Sequence, residues 1–183
     1  MRTHSEHHRR SIRLLGYDYA EAGAYFITVC AYRRRCLFGD VIGAEMHLSD
    51  AGRLVHDVWD GLPNHYPDIQ LDAFVVMPNH AHGIVVLVGA GLKPAPTDPG
   101  GARFPDVGLR PHSHGLPEIV RGFKTFTARQ INEMRATPGV PVWQRNYYEH
   151  VIRNEESLTN IRQYIAENPA RWADDPENRQ DEF

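Results

Sequence analysis

Cysteine is scarce in this 183-residue sequence, and a long hydrophobic run is missing. Cys30 and Cys36 are the only cysteines and do not form a CxxC motif, so we expect no disulfide framework. No apolar run approaches the roughly 20 residues that cross a bilayer. The first ten residues, MRTHSEHHRR, are too polar for a signal peptide. We therefore expect a cytoplasmic protein without a membrane partner, with enough residues to bury one core.

An overall excess of basic charge, typical of nucleic-acid-binding proteins, is also lacking, because the net charge is −3 at pH 7. The charges are nevertheless segregated along the chain. The first 35 residues contain seven arginines and three acidic residues, whereas residues 174–182 contain five acidic residues and one arginine. This asymmetry predicts a basic face and an acidic tail at 174–183, with an ordinary solvated surface as the alternative.

The periodicity of apolar residues predicts one α+β domain over residues 1–173. A small hairpin or an extended loop is expected at 36–48, and a flexible insertion rich in glycine and proline at 89–115. We expect strands at 24–32, 69–76, 81–88 and 140–143, and helices from a cap at Ser49 or Asp50 to Pro63, at 119–131 and at 155–167. This order predicts a ferredoxin-like, split β-α-β antiparallel sheet with one helix added at the C-terminus.

Two histidines begin the predicted strand within VMPNHAHGIVVLV, at residues 76–88. His80 and His82 are two residues apart, so alternation along a strand points both imidazoles to the same side. Two neighbouring neutral imidazoles can bind one divalent cation. The alternative is that both are simply polar residues on a solvated face.

The last predicted helix contains Tyr164 and, four residues later, Asn168, a spacing that brings the two side chains near each other. If this face meets the histidines, a phenol and an amide oxygen join two imidazoles, a set suited to phosphodiester chemistry. Asn168 precedes Pro169, so it can also end one helix and begin another. Tyr164 can alternatively be a packing residue. Tyr147 and Tyr148 are rival nucleophiles, but neither is followed four residues later by a candidate ligand on a convincing helix.

These residues resemble those of the REP-associated tyrosine transposases, within the HUH group of single-strand DNA transposases and nucleases. HUH denotes histidine, a hydrophobic residue and histidine, here His80, Ala81 and His82. The resemblance covers most of the chain outside the insertion and the acidic tail. It extends, in the order of the family, over RRSIRLLGYDY, GAYFITVCAYRRRCLFG, FVVMPNHAHGIV and VWQRNYYEHVIRNEESLTNIRQYIAENP.

The resemblance implies a metal-dependent tyrosine transposase and endonuclease. His80, His82 and Asn168 would be the metal ligands, with magnesium or manganese as the expected ion. Tyr164 would be the nucleophile that forms a 5′-phosphotyrosine and releases a 3′-hydroxyl. The same site would rejoin strands by the reverse attack.

The resemblance also implies a substrate, namely single-stranded DNA hairpins from repetitive extragenic palindromes. Candidates for contacts with the hairpin or a guide sequence are Arg9, Arg10 and Arg13. A phosphate track would be formed by Arg33, Arg34, Arg35, Lys124, Arg145 and Arg153. Two rival functions remain open: a non-catalytic module that binds single-stranded nucleic acid, and a metal hydrolase that uses water. The sequence leaves open whether the protein is a monomer or a homodimer.

Overall fold

The computed structural model describes residues 21–88 and 114–178. The predictions for Arg9, Arg10 and Arg13, for almost all of the 89–115 insertion and for the end of the acidic tail lie outside these residues. No helix within the described residues has the length and apolar composition that crossing a membrane requires.

Six strands and four α-helices are present in the described residues. The strands are β1 (Gly23–Cys30), β2 (Gly39–Ile42), β3 (Glu45–Leu48), β4 (Ile69–Met77), β5 (His80–Leu87) and β6 (Tyr148–Ile152). The helices are α1 (Asp50–Asp60), α2 (Leu62–His65), α3 (Leu116–Met134) and α4 (Glu155–Glu167). Short 3₁₀ helices follow β1 at Tyr32–Arg34 and α4 at Pro169–Asp174.

The main sheet has four antiparallel strands in the order β4-β5-β1-β6. The two central strands, β1 and β5, are nearly continuous runs of buried residues. This is the strand order of a ferredoxin-like fold, so the predicted fold class is confirmed. Strands β2 and β3 form a separate hairpin, as one of the two interpretations of residues 36–48 predicted.

Alternation along β1 divides the interior into two layers. Tyr25 and Ile27 belong to the larger hydrophobic cluster, which contains Trp59 of α1 and Phe123 of α3. On the other face, Phe26 belongs to a smaller cluster that the apolar stripe of α4 covers with Leu158 and Ile165. Burying each such aliphatic side chain contributes about 1.5–3 kcal/mol. The added helix α4 therefore lies on the face opposite α1 and α3.

Two predicted boundaries are wrong. Residues 140–143 are not the fourth strand, which is β6 instead. Pro141 has no N–H to donate, and this segment forms only an isolated bridge between Trp143 and Ala31. Pro63 does not end α1, which stops at Asp60. Pro63 lies instead in the first turn of α2, where its missing N–H removes no helical hydrogen bond.

The other helix boundaries follow local chemistry. Ser49 caps α1 by accepting a hydrogen bond from the Gly52 N–H at 3.1 Å, as predicted. Asn154 caps α4 in the same way, accepting from the Ser157 N–H at 2.8 Å. Helix α4 therefore begins at Glu155 and reaches Tyr164 after two and a half turns.

Candidate active site

The two histidines occupy the first and third positions of β5 and face the layer of α4. Pairing with β1 places His80 opposite Cys30 and His82 opposite Thr28. Both imidazoles are buried, with 0% and 2% exposure. Their Nε2 atoms lie 3.0 Å apart. They are therefore not polar residues on a solvated surface.

The Nδ1 atom of each imidazole contacts a neighbouring polar side chain. His80 Nδ1 lies 2.8 Å from Asn79 Oδ1, and His82 Nδ1 lies 2.9 Å from Thr28 Oγ1. Asn79 Nδ2 donates to the carbonyl groups of Glu177 at 2.8 Å and Arg34 at 3.3 Å, which orients the amide oxygen toward His80. Since that oxygen only accepts, His80 Nδ1 carries the proton and its Nε2 lone pair faces the site.

Burial keeps both imidazoles neutral. It lowers the pKa of His80 to about 3, and the positive charge of Arg34 acts in the same direction. Burial likewise lowers the pKa of His82 to about 3, with a further contribution from His80. Neutral imidazole is the form that binds metals, so both rings are ready to be ligands at physiological pH.

Tyr164 extends from α4 to the histidine pair. Its hydroxyl lies 3.2 Å from His82 Nε2, and its ring contacts the edge of Phe26, which also stacks on His82. The side chain is 36% exposed, so solvent and ligands can reach it. Burial raises the pKa of Tyr164, the charge of Asp175 acts in the same direction, and the Asn168 amide opposes them.

Asn168 follows α4 directly and is 1% exposed. Its backbone keeps helical angles, φ −57° and ψ −42°, and leads into the 3₁₀ helix that starts at Pro169, so it both ends one helix and begins another. Its Nδ2 donates to Asp175 Oδ2 at 3.1 Å, whereas its Oδ1 has no hydrogen-bond partner among the described residues. A buried acceptor without a partner costs about 1–3 kcal/mol, which a bound cation would offset.

Sequence reasoning missed two groups of residues here. Asp175 belongs to the predicted acidic tail, yet it is 8% exposed and lies beside the histidines. No periodicity marks it, because it directly follows the short 3₁₀ helix Pro169–Asp174 and lies on no regular helix or strand. Thr28 lies within the strand predicted at 24–32, and Asn79 lies between the strands predicted at 69–76 and 81–88, so neither was a candidate site residue. The sequence feature that could have identified Thr28 is its hydroxyl, within the otherwise apolar run of β1.

The residues fit a divalent cation. One ligand atom from each of His80, His82 and Asp175 lies within 4.8 Å of the others. The Nε2 separation of 3.0 Å matches two nitrogens that bind one ion at about 2.1 Å and about 90°. Asn168 contacts Asp175 through its Nδ2, and its unpartnered Oδ1 is available as a further oxygen donor. A mixed set of imidazole nitrogens and carboxylate or amide oxygens is one that several divalent metals accept.

The basic residues predicted to bind DNA are distributed unequally. Arg33, Arg35, Arg145 and Arg153 are exposed, whereas Arg34 is half-buried and forms an ion pair with Glu177. Gln144 donates its N–H to the Cys30 carbonyl at 2.9 Å, so Arg145 begins near the same end of β1 as Arg33–Arg35. Arg153 follows Ile152, which pairs with Ala24 at the opposite end of β1 from the histidines.

The ammonium group of Lys124 binds backbone groups of the protein. Its ammonium donates to the backbone carbonyl groups of Gln144, Arg145 and Asn146 at 2.6, 3.0 and 3.3 Å. Burial lowers its pKa to about 8. In this structure Lys124 therefore links α3 to residues 144–146, and a phosphate contact would require it to release these carbonyl groups.

Comparison with known proteins places this geometry in context. No family model matches the sequence. A Haemophilus influenzae protein that is itself uncharacterized is 42% identical over 174 residues, which cover 92% of each chain. A second protein from that organism, whose name assigns it provisionally to the REP-associated tyrosine transposases, is 24% identical over 154 residues, covering 84% of this chain and 74% of that protein.

The solved structure of a REP-associated tyrosine transposase bound to a REP hairpin has the same fold. Its TM-score is 0.56 at 20% identity, over 90% of this chain and 80% of that chain. The fold is thus that of a REP-associated tyrosine transposase, and the predicted resemblance is confirmed. By sequence, the chain belongs to the same family as the uncharacterized Haemophilus influenzae protein.

Proposed function

We propose that this protein is a metal-dependent tyrosine transposase and endonuclease that cleaves and rejoins single-stranded DNA at hairpins of repetitive palindromic sequence. The observation that carries the proposal is the position of the Tyr164 hydroxyl, 3.2 Å from Nε2 of His82 and beside a buried pair of neutral imidazoles. A phenol and two metal-ligating nitrogens on one face are the components of this chemistry.

His80, His82 and Asn168 would hold the cation, with their donor atoms facing the same space. When bound, a magnesium or manganese ion would polarise the scissile phosphate and offset the charge that develops on its oxygens. Asn79 and Thr28 would keep the imidazoles oriented through their Nδ1 atoms. Phe26 would exclude water from the His82 side of the site.

Tyr164 would act as the nucleophile. Its Oη forms a bond to phosphorus, the bond from phosphorus to the 3′ oxygen breaks, and the products are a 5′-phosphotyrosine and a free 3′-hydroxyl. The phenolic oxygen loses its proton, and the departing 3′ oxygen takes one up. Burial and the charge of Asp175 oppose the loss by raising the pKa of Tyr164. Positive charge at the histidine pair would reverse that effect. A 3′-hydroxyl can attack the phosphotyrosine in the opposite direction, so one site serves cleavage and joining.

The proposed substrate is single-stranded because an unpaired strand can pass Tyr164 on α4 with its backbone exposed, whereas a stacked duplex hinders this approach. The similar transposase structure is bound to a REP hairpin, which supports a hairpin partner for this chain. Exposed arginines at 33, 35 and 145 are proposed phosphate contacts. Arg9, Arg10 and Arg13, outside the described residues, are proposed hairpin or guide-sequence contacts.

The test is a denaturing gel of the protein mixed with a labelled single-stranded hairpin oligonucleotide, in the presence of manganese or of EDTA. Tyr164→Phe is compared with Tyr148→Phe, a matched control. Both rings lie about the same distance from Phe26, at 6.1 and 6.3 Å, but no hydrogen bond joins the Tyr148 hydroxyl to the histidines within the described residues. We expect a manganese-dependent, protein-linked band that only Tyr164→Phe abolishes.

The other outcomes assign other functions. Metal-dependent cleavage without a protein-linked band would identify water as the nucleophile and contradict the proposal. Binding of several hairpins without any cleavage would favour a non-catalytic nucleic-acid module instead. A protein-linked band that persists in Tyr164→Phe but disappears in Tyr148→Phe would transfer the nucleophilic role to β6.

A further inference from the structure

The chain returns to the histidine pair after α4, and this return brings in a carboxylate. Asp175 is 8% exposed, and one of its oxygens lies within 4.8 Å of ligand nitrogens of His80 and His82. Its Oδ1 accepts the Glu177 N–H at 2.6 Å, and its Oδ2 accepts from Asn168 Nδ2 at 3.1 Å. Within residues 21–88 and 114–178, no ion pair joins Asp175 to a cationic side chain.

Most of the polar atoms that lie beside Asp175 and the two histidines are hydrogen-bond acceptors. A buried carboxylate stands beside the unpartnered Oδ1 of Asn168, which is itself 1% exposed, and beside the Nε2 lone pair of His80. A buried charge needs a compensating charge or a bound metal, since desolvation is otherwise costly. Arg34, whose positive charge acts on His80, is paired with Glu177 and not with Asp175. A divalent cation would supply the compensating charge.

Residues 175–178 are held in place by side chains that also organise the histidines. The Glu177 carboxylate pairs with Arg34 and accepts from the Cys30 thiol at 3.2 Å, and its carbonyl group accepts from Asn79 Nδ2 at 2.8 Å. Asn79 is the residue that orients His80. The carboxylate of Asp175 and the imidazole of His80 are therefore positioned through one shared side chain.

We propose that Asp175 is a carboxylate ligand of the divalent cation bound by His80 and His82, and that the contacts of Glu177 with Arg34 and Asn79 position it. This inference rests on the metal site of the proposed function. It adds an anionic ligand to the neutral set expected from the resemblance, and it makes the segment after α4 a part of that site.

The test is the affinity of the full chain for Mn²⁺ by isothermal titration calorimetry. Asp175→Asn is compared with Asp174→Asn, which makes the same charge change at the adjacent, exposed residue. We expect binding at least roughly tenfold weaker in Asp175→Asn and unchanged in Asp174→Asn. A cooperative thermal transition confirms that the variant is folded, and Asp175→Ser replaces it if Asp175→Asn is not.

Asp175 also accepts from Asn168, so its substitution can act by turning that amide. The same change is therefore made in an Asn168→Ala background, at Mn²⁺ concentrations that saturate the Asn168→Ala protein. A further weakening of at least roughly tenfold supports direct ligation. No further weakening would overturn it and leave Asp175 as a positioning residue for Asn168.

The two proposals fail in different ways. Mn²⁺ binding that His82→Ala leaves unchanged, or no saturable binding by the wild type, would remove the metal site on which both proposals depend. Binding that is lost in His82→Ala but equal in Asp175→Asn and Asp174→Asn would overturn only the assignment of Asp175. Tighter binding in Asp175→Asn would also overturn it, because removing the charge of a ligating carboxylate cannot strengthen cation binding.

Discussion

At the scale of single residues, the geometry of the histidine pair depends on neighbours that have no metal-binding chemistry of their own. Thr28 lies opposite His82 in the β1–β5 register and contacts its Nδ1 at 2.9 Å. Asn79 Oδ1 contacts Nδ1 of His80 in the same way, at 2.8 Å. Such contacts select the tautomer and the ring orientation, so they act on metal affinity without touching the metal.

Thr28→Val keeps the shape of the side chain and removes its hydroxyl, so His82 loses its orienting contact. We expect Mn²⁺ affinity to fall roughly 10- to 100-fold. The matched control is Thr127→Val on α3, a buried threonine that accepts from Trp143 Nε1 at 2.8 Å. That control should lower the free energy of unfolding by about 1–3 kcal/mol and leave Mn²⁺ affinity unchanged. Calorimetry and urea unfolding measure the two effects, and equal Mn²⁺ affinities in both variants would contradict this expectation.

At the scale of elements, α4 is attached to the sheet by more than its apolar stripe. Arg162, two residues before Tyr164, donates from Nε and from a terminal nitrogen to the two carboxylate oxygens of Asp72 on β4, at 2.8 and 2.6 Å. Asp72 lies where the β4–β5 register shifts between Leu71 and Phe74. This bidentate ion pair connects the tyrosine-bearing helix α4 to the edge strand β4. It opposes rotation of α4 about the helix axis.

The Asp72–Arg162 pair predicts a pH-dependent contribution to stability. The hydrogen bond from Arg162 lowers the pKa of Asp72 below its usual 3.8. The stabilisation is therefore fully present above about pH 4 and is lost as the pH falls through the lower pKa of the folded state. Arg162 is 45% exposed, so solvent screening limits the contribution to about 1 kcal/mol or less.

We expect Asp72→Asn to lower the free energy of unfolding at pH 7, and the difference from the wild type to shrink toward about pH 3 as the wild-type carboxylate is protonated. Urea unfolding at both pH values measures this difference. Asp57→Asn, at an exposed position of α1, is the control and should differ little from the wild type at either pH. A difference for Asp72→Asn that grows toward acid would contradict the argument.

At the scale of the whole molecule, one chain contains every component of the candidate site. The Tyr164 hydroxyl reaches His82 of its own chain, and Asp72 and Arg162 attach α4 to its own sheet. A second chain is therefore unnecessary for assembly of the site, whichever oligomeric state the protein adopts. An exchange of α4 between two chains would have to break both sets of contacts and form them again with the partner chain.

We therefore expect no recovery of activity when Tyr164→Phe and His82→Ala proteins are mixed. If α4 were exchanged between subunits, such a mixture would combine the intact tyrosine of one chain with the intact histidines of the other. The measurement is the protein-linked band on a denaturing gel, with each variant alone and the wild type as references. A band that appears only in the mixture would show that the tyrosine acts on the partner subunit.

Periodicity and local chemistry determined much of this protein by sequence alone. The apolar, β-branched runs of β1 and β5, the Ser49 cap and the apolar stripe of α4 depend only on neighbouring residues. The two-residue spacing of His80 and His82 already required a shared face, and the four-residue spacing of Tyr164 and Asn168 a shared end of one helix. Such features are predictable because the geometry of every helix and strand fixes how residues a few positions apart lie relative to one another.

Only the tertiary structure decided which distant residues meet. The fourth strand is β6 because Tyr148–Ile152 can pair with β1, whereas Pro141 limits the segment that the periodicity favoured. Thr28 joins the site through strand register, and Asp175 through a 3₁₀ turn that carries an acidic segment inward. Contacts across such separations depend on how packed layers fit together, and no spacing along the chain encodes them.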